Sequence, residues 1–326
     1  MNSPNTMSAV VCTDYTGYAE FDESKISVVT EVAVPTCGPN EVLIKVSASS
    51  VNPIDWKIVS GALKAFMPMT FPATIGFEAA GIVEEVGGEV TGLSKGDSVW
   101  TDATRGCYAQ FVVVAAEKVG LAPSNLSPEQ SAVVPLAGLT SLQALRLLGC
   151  QGRPPNPNPN LRVLILGGSG GTGSSAIQIA KSMGCHVSTT CSGRNLEFVK
   201  SLGADQVVNY REAQWWEEFK DLDAVYDCVG EKDVFAHAQL VLKDNGKFVT
   251  IASMGVEGVT WERGVTGVFH LTNSSSRDDL DTLKGLCESG ALKPSIHKTF
   301  PLADIWDAFK ESKTGRVVGK IAISVV

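Results

Sequence analysis

No apolar run in the 326-residue sequence approaches the roughly 20 residues that a membrane-spanning helix needs, and the opening residues lack the charged-then-apolar layout of a secretory signal. A protein with no membrane span, in the cytoplasm, is therefore expected. There is no excess of positive charge either. Against 35 Asp and Glu stand 27 Lys and Arg, a net −8 that gives no field for nucleic acid or an anionic membrane, so any anion site must be local. The eight cysteines form no Cys-x-x-C pair and share no recurring spacing, which argues for reduced, buried thiols rather than a disulfide framework or a zinc loop. Histidine is scarcer still. All four (His186, His237, His270, His297) fall in the second part of the chain, so the first half offers no imidazole to a catalytic metal, and a zinc-dependent site is not expected.

What is present is organised around Leu161 to Leu166, a short β-branched run, followed by Gly167-Gly168-Ser169-Gly170-Gly171-Thr172-Gly173 and then Ser174 to Met183 at helical spacing. This reads as strand, tight turn and helix. Gly168, Gly170 and Gly173 satisfy G-x-G-x-x-G, a pattern that lets backbone amides approach a pyrophosphate at the positive end of a helix. A second strand, His186 to Thr190, leads into Cys191-Ser192-Gly193-Arg194, where an NAD site would carry an acidic residue for the ribose 2′-hydroxyl. No Asp or Glu occurs between Gly173 and Glu197. A hydroxyl and a guanidinium suit a 2′-phosphate instead, and the expected cofactor is NADPH.

Around this centre the chain changes character twice. From Ala9 to about residue 130 it reads as short strands, among them Ser27 to Val34, Glu41 to Ala48, Gly81 to Val86 and Phe111 to Val114, punctuated by Gly, Pro and Asp. Residues Met1 to Met7 read as a mobile polar end. At Ser127-Pro128-Glu129-Gln130 a helix start appears, with an N-cap, a proline at the first helical position and a glutamine three residues on. Gln151 to Asn160, rich in proline and asparagine, reads as a stiff surface loop. Strand and helix then alternate through Leu196 to Leu202, Gln206 to Tyr210, Ala224 to Val229, Lys247 to Ala252, Asp278 to Ser289 and Lys320 to Val325, the pattern of a parallel sheet covered on both faces. The expected fold class is α/β: a Rossmann doubly wound sheet plus a β-rich domain. Boundaries are expected at 1–130 for the β-rich catalytic part, 131–270 for the cofactor domain and 271–326 for its end and a return to the first. Residues just past strand ends, Ser169 to Thr172, Ser192, Tyr210, Cys228 to Gly230 and Ala252-Ser253, should line one crevice.

With these stretches in place, the chain resembles the zinc-less medium-chain dehydrogenase/reductases, and among them the NADPH-dependent quinone and alkenal/enone oxidoreductases. The resemblance rests on Ser50 to Lys57, Gly76 to Gly81, Gly106 to Phe111, Pro135 to Leu145, Gly167 to Lys181, Leu202 to Tyr210 and Gly315 to Ile321. It implies a GroES-like first domain to which the C-terminal segment returns. It also implies Asn52 and Asp55 as active-site residues and Lys57 as a donor to the substrate carbonyl. Thr140 would contact the nicotinamide side, and Phe269 with His270 the outer wall. The full cofactor set it implies is Thr140, Ser169, Gly170, Gly171, Thr172, Ser192, Arg194, Tyr210, Cys228, Val229, Ala252, Ser253, Phe269, His270 and Arg316. Where zinc enzymes of the superfamily have Gly-His-Glu, this chain has Gly76-Phe77-Glu78. Gly168 stands where many relatives have alanine, which reads as a mild change.

The implied activity is hydride transfer from NADPH to a quinone or to the C=C of an α,β-unsaturated carbonyl, by a monomer or homodimer acting on small molecules. Two other classes fit the same residues less well: a non-catalytic NADPH-binding redox sensor or scaffold, and an alcohol dehydrogenase-like enzyme. Loops near Ile58 to Phe71 and Gly255 to His270 are the expected substrate walls. Tyr108 reads as a packing residue, the Trp215-Trp216 pair as one buried and one exposed indole, and His237 and His297 as ordinary hydrogen-bonded or surface histidines.

Overall fold

Six parallel strands form the sheet at the centre of the cofactor unit in the computed structural model, which describes residues 4–103, 105–151, 161–273 and 277–325. Their order is Gln206–Asn209, His186–Cys191, Arg162–Leu166, Leu222–Asp227, Leu242–Thr250 and Thr266–Phe269. The central strands carry apolar runs, Val163 to Leu166 and Ala224 to Tyr226, because both faces are covered: four of the five residues of Arg162–Leu166 and five of the six of Leu222–Asp227 are buried. Helix Gly171–Ser182 buries Ala176, Ile177, Ile179 and Ala180. Leu164, Val225 and Phe248 join Trp215, Phe219 and Val241 in a core, where each fully buried large apolar side chain contributes about 1.5–3 kcal/mol. Trp215 is 2% exposed and its indole N–H donates to Glu231 at 2.5 Å, while Trp216 stacks on His237 with ring centroids 3.5 Å apart.

The other unit is mainly antiparallel, with one parallel pair, Ile296–Pro301 and Lys320–Ser324. Its larger sheet runs Ile296–Pro301, Lys320–Ser324, Glu41–Val51, Glu78–Val86, Ser98–Asp102 and Val119–Leu121, with Phe111–Ala115 also paired to Glu41–Val51. A three-stranded sheet holds Ile26–Ala33, Thr6–Cys12 and Ala73–Thr74. Register decides what happens at one end of the larger sheet. Val51 lies opposite Ile321 and Ser49 opposite both Ile323 and Ala79, so the end of Glu41–Val51 meets the starts of two antiparallel neighbours. Three residues far apart in sequence, Asn52, Glu78 and Lys320, are thereby brought to one place.

The described residues divide between these units as 4–103, 105–136, 277–288 and 294–325 for the antiparallel one, and 137–151, 161–273 and 289–293 for the parallel one. The expected helix start is present: helix Pro128–Ala132 carries a full capping box between Ser127 and Gln130. Two expectations are corrected. Lys320–Ser324 does not extend the parallel sheet but fills a slot in the antiparallel one, because period-two apolar patterning cannot say which sheet a strand joins. The first strand begins at Thr6, and Met7 is buried, so the expected mobile end does not take in residues 6 and 7. Of the expected surface loop Gln151 to Asn160, residues 152–160 lie outside the described residues. Among the described residues no helix is long and apolar enough to cross a membrane.

Candidate active site

In the parallel unit the glycine turn forms a cradle. Gly170 is the N-cap of helix Gly171–Ser182 and supplies no side-chain acceptor, so the first amides of that helix point outward without an intrahelical partner. This is the geometry in which a helix start receives a pyrophosphate. Gly173 is required: a Cβ there would sit 2.2 Å from the Gly167 carbonyl oxygen. Gly168 is required too, which corrects the view of it as a mild change. A Cβ at 168 would lie 2.1 Å from Thr189 Oγ1, which is stiff at χ1 and donates to the Ile165 carbonyl at 2.7 Å. Helix Pro135–Leu147 is tied to the cradle where Ser141 Oγ donates to the Thr172 carbonyl at 2.9 Å, and the neighbouring Thr140 hydroxyl pairs with Thr272 at 2.6 Å.

At the adjacent strand ends the expected 2′-phosphate residues come together. Cys191 pairs with Asn209, and the Tyr210 amide donates to the Cys191 carbonyl at 3.2 Å, so Ser192 and Tyr210 leave neighbouring strands side by side. Ser192 is buried, Arg194 is exposed, and Tyr210 is 51% exposed. Asn195, absent from the expected set, donates its side-chain amide to Ser169 Oγ at 3.1 Å and links this loop to the cradle. Past the next two strands, Cys228, Val229, Ala252 and Ser253 are held by a pair the sequence did not single out. Asp227 accepts from the amides of Val229 and Gly230, both at 2.9 Å, and from the Thr250 hydroxyl at 2.8 Å. The Thr250 oxygen in turn accepts the amides of Ala252 and Ser253, both at 3.1 Å. Desolvation holds the Cys228 thiol well above its ordinary pKa, which disfavours the thiolate at this position. Phe269 ends the edge strand and His270 is buried just beyond it, its pKa lowered by that burial. Arg316 belongs to the antiparallel unit and is exposed there.

The antiparallel unit holds a buried polar cluster. Asn52 is the N-cap of helix Pro53–Val59, with Pro53 at the first helical position, and its backbone amide donates to Asp55 Oδ2 at 2.6 Å. Glu78, fully buried, gathers donors on both oxygens. Ser50 Oγ, Asn52 Nδ2 at 2.7 Å and Lys320 Nζ at 2.9 Å reach Oε1, and the Leu136 amide reaches Oε2 at 2.8 Å. Lys320 has three donors and three acceptors: Glu78, the Val51 carbonyl at 3.0 Å and Asn52 Oδ1. A buried ion pair satisfied this completely is strongly destabilised by removal of one partner alone.

Asp55 is 1% exposed, and its Oδ1 has no donor. Burial pushes its pKa from 3.8 up to about 7, with Glu78 adding to the rise while the Asn52 amide, Tyr108 and Lys320 oppose it. The buried Tyr108 hydroxyl, facing Asp55, donates to the Ser50 carbonyl at 3.1 Å. A narrow cleft lined by Asp55, Ile58, Val59, Met69, Ile75, Gly76, Phe77 and Arg105 opens beside this carboxyl. The structure thus joins Asn52 and Asp55 but not Lys57, whose ammonium lies 5.7 Å from the Trp56 ring centroid. Ser50, Glu78 and Lys320 were not among the expected site residues. Each lies in a stretch that carries the resemblance, Ser50 to Lys57, Gly76 to Gly81 and Gly315 to Ile321. Among the described residues, no group of three or more His, Cys, Asp or Glu side chains is arranged to hold a metal.

Comparison with known proteins agrees with this architecture. Residues 38–124 match the alcohol dehydrogenase GroES-like domain, and residues 202–323 match a family described as zinc-binding dehydrogenase. The chloroplast envelope quinone oxidoreductase homolog of Arabidopsis thaliana is 33% identical over 310 residues, spanning 90% of this chain and 92% of that protein. The 2-methylene-furan-3-one reductase of Solanum lycopersicum is 34% identical over 326 residues, spanning 95% of this chain and 77% of that one. The solved Escherichia coli quinone oxidoreductase complexed with NADPH has a TM-score of 0.82 at 25% identity, covering 98% of this chain and 100% of the other.

Proposed function

The chain belongs to the medium-chain dehydrogenase/reductase superfamily and is an NAD(P)H oxidoreductase of it; from that premise we propose that it reduces a quinone, or the C=C of an α,β-unsaturated carbonyl, with NADPH and without a metal. One observation carries the choice of cofactor. Beside the phosphate cradle, the ends of the paired strands His186–Cys191 and Gln206–Asn209 offer Ser192, Arg194 and Tyr210 where an NAD site would offer a carboxylate.

NADPH, when bound, would supply a hydride from its dihydronicotinamide. The cradle amides of Gly171 and Thr172 would hold its pyrophosphate, and Ser192, Arg194 and Tyr210 its 2′-phosphate. Reduction leaves an enolate or hydroquinone anion on the substrate, whose oxygen needs donors as its charge develops. Asn52 Nδ2 is the donor we assign to it. Asp55, its carboxyl pushed up to about 7, carries a proton at Oδ1 through much of the neutral range and can lend it to the carbanion or relay one from solvent. Phe77 between Gly76 and Glu78 supports a metal-free reading, as does the lack of histidine before His186. Eight free cysteines suit a reducing compartment such as the cytoplasm.

The test is nicotinamide oxidation followed by absorbance with a quinone, a short alkenal and a vinyl ketone, NADPH and NADH in parallel. Turnover with NADPH is expected. The double variant Ser192→Asp with Arg194→Ala is expected to raise KM for NADPH far more than for NADH. An unchanged preference would remove the 2′-phosphate assignment, and tight NADPH binding with no turnover on any acceptor would turn the reading toward a redox sensor or scaffold.

A further inference from the structure

We propose that Lys320 is a positioning residue, which together with Glu78 fixes the Asn52 carboxamide in the one orientation that presents a free N–H to the substrate oxygen. The argument rests on the assignment of Asn52 as a substrate donor and adds what holds that donor. A carboxamide has a carbonyl end that only accepts and an amine end that only donates. Here the carbonyl end, Oδ1, receives the Lys320 ammonium, and the amine end, Nδ2, donates to Glu78 Oε1 at 2.7 Å. Rotating the amide by half a turn would set the amine against an ammonium and the carbonyl against a carboxylate. Both contacts would then be repulsive in a site where Asn52, Glu78 and Lys320 are all buried.

One orientation therefore survives, and in it the hydrogens can be counted. Nδ2 has two; Glu78 takes one, and one is left. The cation on Oδ1 also draws electron density through the amide, which makes the remaining N–H a stronger donor. Lys320 cannot do this work by touching substrate itself, because its three hydrogens are already committed to Val51, Asn52 and Glu78. It acts through Asn52, from a strand 268 positions away in sequence.

Lys320→Met removes the cation but leaves Glu78 as a buried charge without its counter-ion, so this variant alone could simply unfold. The paired variant Lys320→Met with Glu78→Gln buries no charge and serves as the second arm. Each full-length protein is assayed for kcat and KM with NADPH on a vinyl ketone and on a quinone, and the Asn side-chain NH2 resonances are followed by nitrogen-15 NMR.

The expected result in the paired variant is a fall in vinyl ketone kcat of about 10- to 100-fold, below the loss for outright deletion of a single oxyanion donor. KM for NADPH stays unchanged, and one Asn NH2 pair loses its distinct shift. Quinone turnover should fall less, since a hydroquinone anion is less basic than an enolate and relies less on the donor. A merely structural role would lower both substrates together. Wild-type kcat with an undisturbed vinyl ketone to quinone ratio would overturn the proposal. Failure of the functional reading looks different: the wild-type protein itself would turn over neither acceptor, and the proposal would fall with it.

Discussion

At the scale of the residue, Asp55 shows how one side chain can serve the fold and the chemistry at once. Its Oδ2 closes the start of helix Pro53–Val59 by accepting the Asn52 amide, a role that Asn-Pro-x-Asp makes readable in the sequence. Its raised pKa was not readable, because it comes from burial, with Glu78 adding to the rise, in a place built from segments far apart in sequence. The consequence for stability has a definite sign. A carboxyl at about 7 in the folded protein and near 3.8 in the unfolded chain binds more protons when folded, so stability declines as pH rises from about 4 to about 7 and stays low above that. Asp55→Asn keeps an acceptor for the Asn52 amide and removes the titration. Its melting temperature relative to wild type should therefore climb between pH 5 and pH 8. A difference that is constant across that range would show that Asp55 is ionised in the folded state throughout. Glu78 was harder to foresee than Asp55. A lone Glu after Gly-Phe announces nothing until the C-terminal strand delivers Lys320 beside it.

Among the elements, alternation of strand and helix made the parallel sheet legible, since a crossover helix between buried strands leaves a periodic trace. The devices that hold the strand-end loops left no such trace. Asp227 and Thr250 are ordinary last residues of two strands, yet through two oxygens, Asp227 Oδ1 and Thr250 Oγ1, they accept four backbone amides of the loops at Cys228 to Gly230 and Ala252-Ser253. Those loops carry four of the residues expected to meet the cofactor. Thr250→Val keeps the shape of the side chain and deletes both the donor to Asp227 and the acceptor for two amides, each lost buried hydrogen bond costing about 1–3 kcal/mol. NADPH affinity measured by calorimetry should weaken by roughly tenfold, about 1.4 kcal/mol, and Thr250→Ser should restore most of it. Wild-type affinity in the valine variant would mean that the loops keep their shape without this pair.

For the whole molecule, the part that resisted reading was which unit each terminal segment joins. Lys320–Ser324 has the same apolar composition as a parallel-sheet strand, but its register places it between Ile296–Pro301 and Glu41–Val51. Only the resemblance to known enzymes anticipated that return. Ile321, Ala322 and Ile323 are essentially fully buried there, so this last strand is an interior component of the antiparallel sheet rather than a trailing edge. The parallel sheet, by contrast, draws all six strands from residues 162–269 and has its own core. A chain that stops at Gly319 should therefore lose the antiparallel unit's cooperative unfolding while the parallel unit still melts as one. On the proposed assignment NADPH binds only the folded form of the unit that carries the cradle, so it should raise the temperature of that surviving transition by linkage even though turnover is gone. Calorimetric scans of the truncated chain with and without NADPH separate the possibilities. If the truncated protein kept full turnover, neither the interior position of Lys320–Ser324 nor the role of Lys320 could stand. If NADPH shifted no transition, the cofactor site would depend on the antiparallel unit in a way that the self-contained sheet and core of the parallel unit do not require.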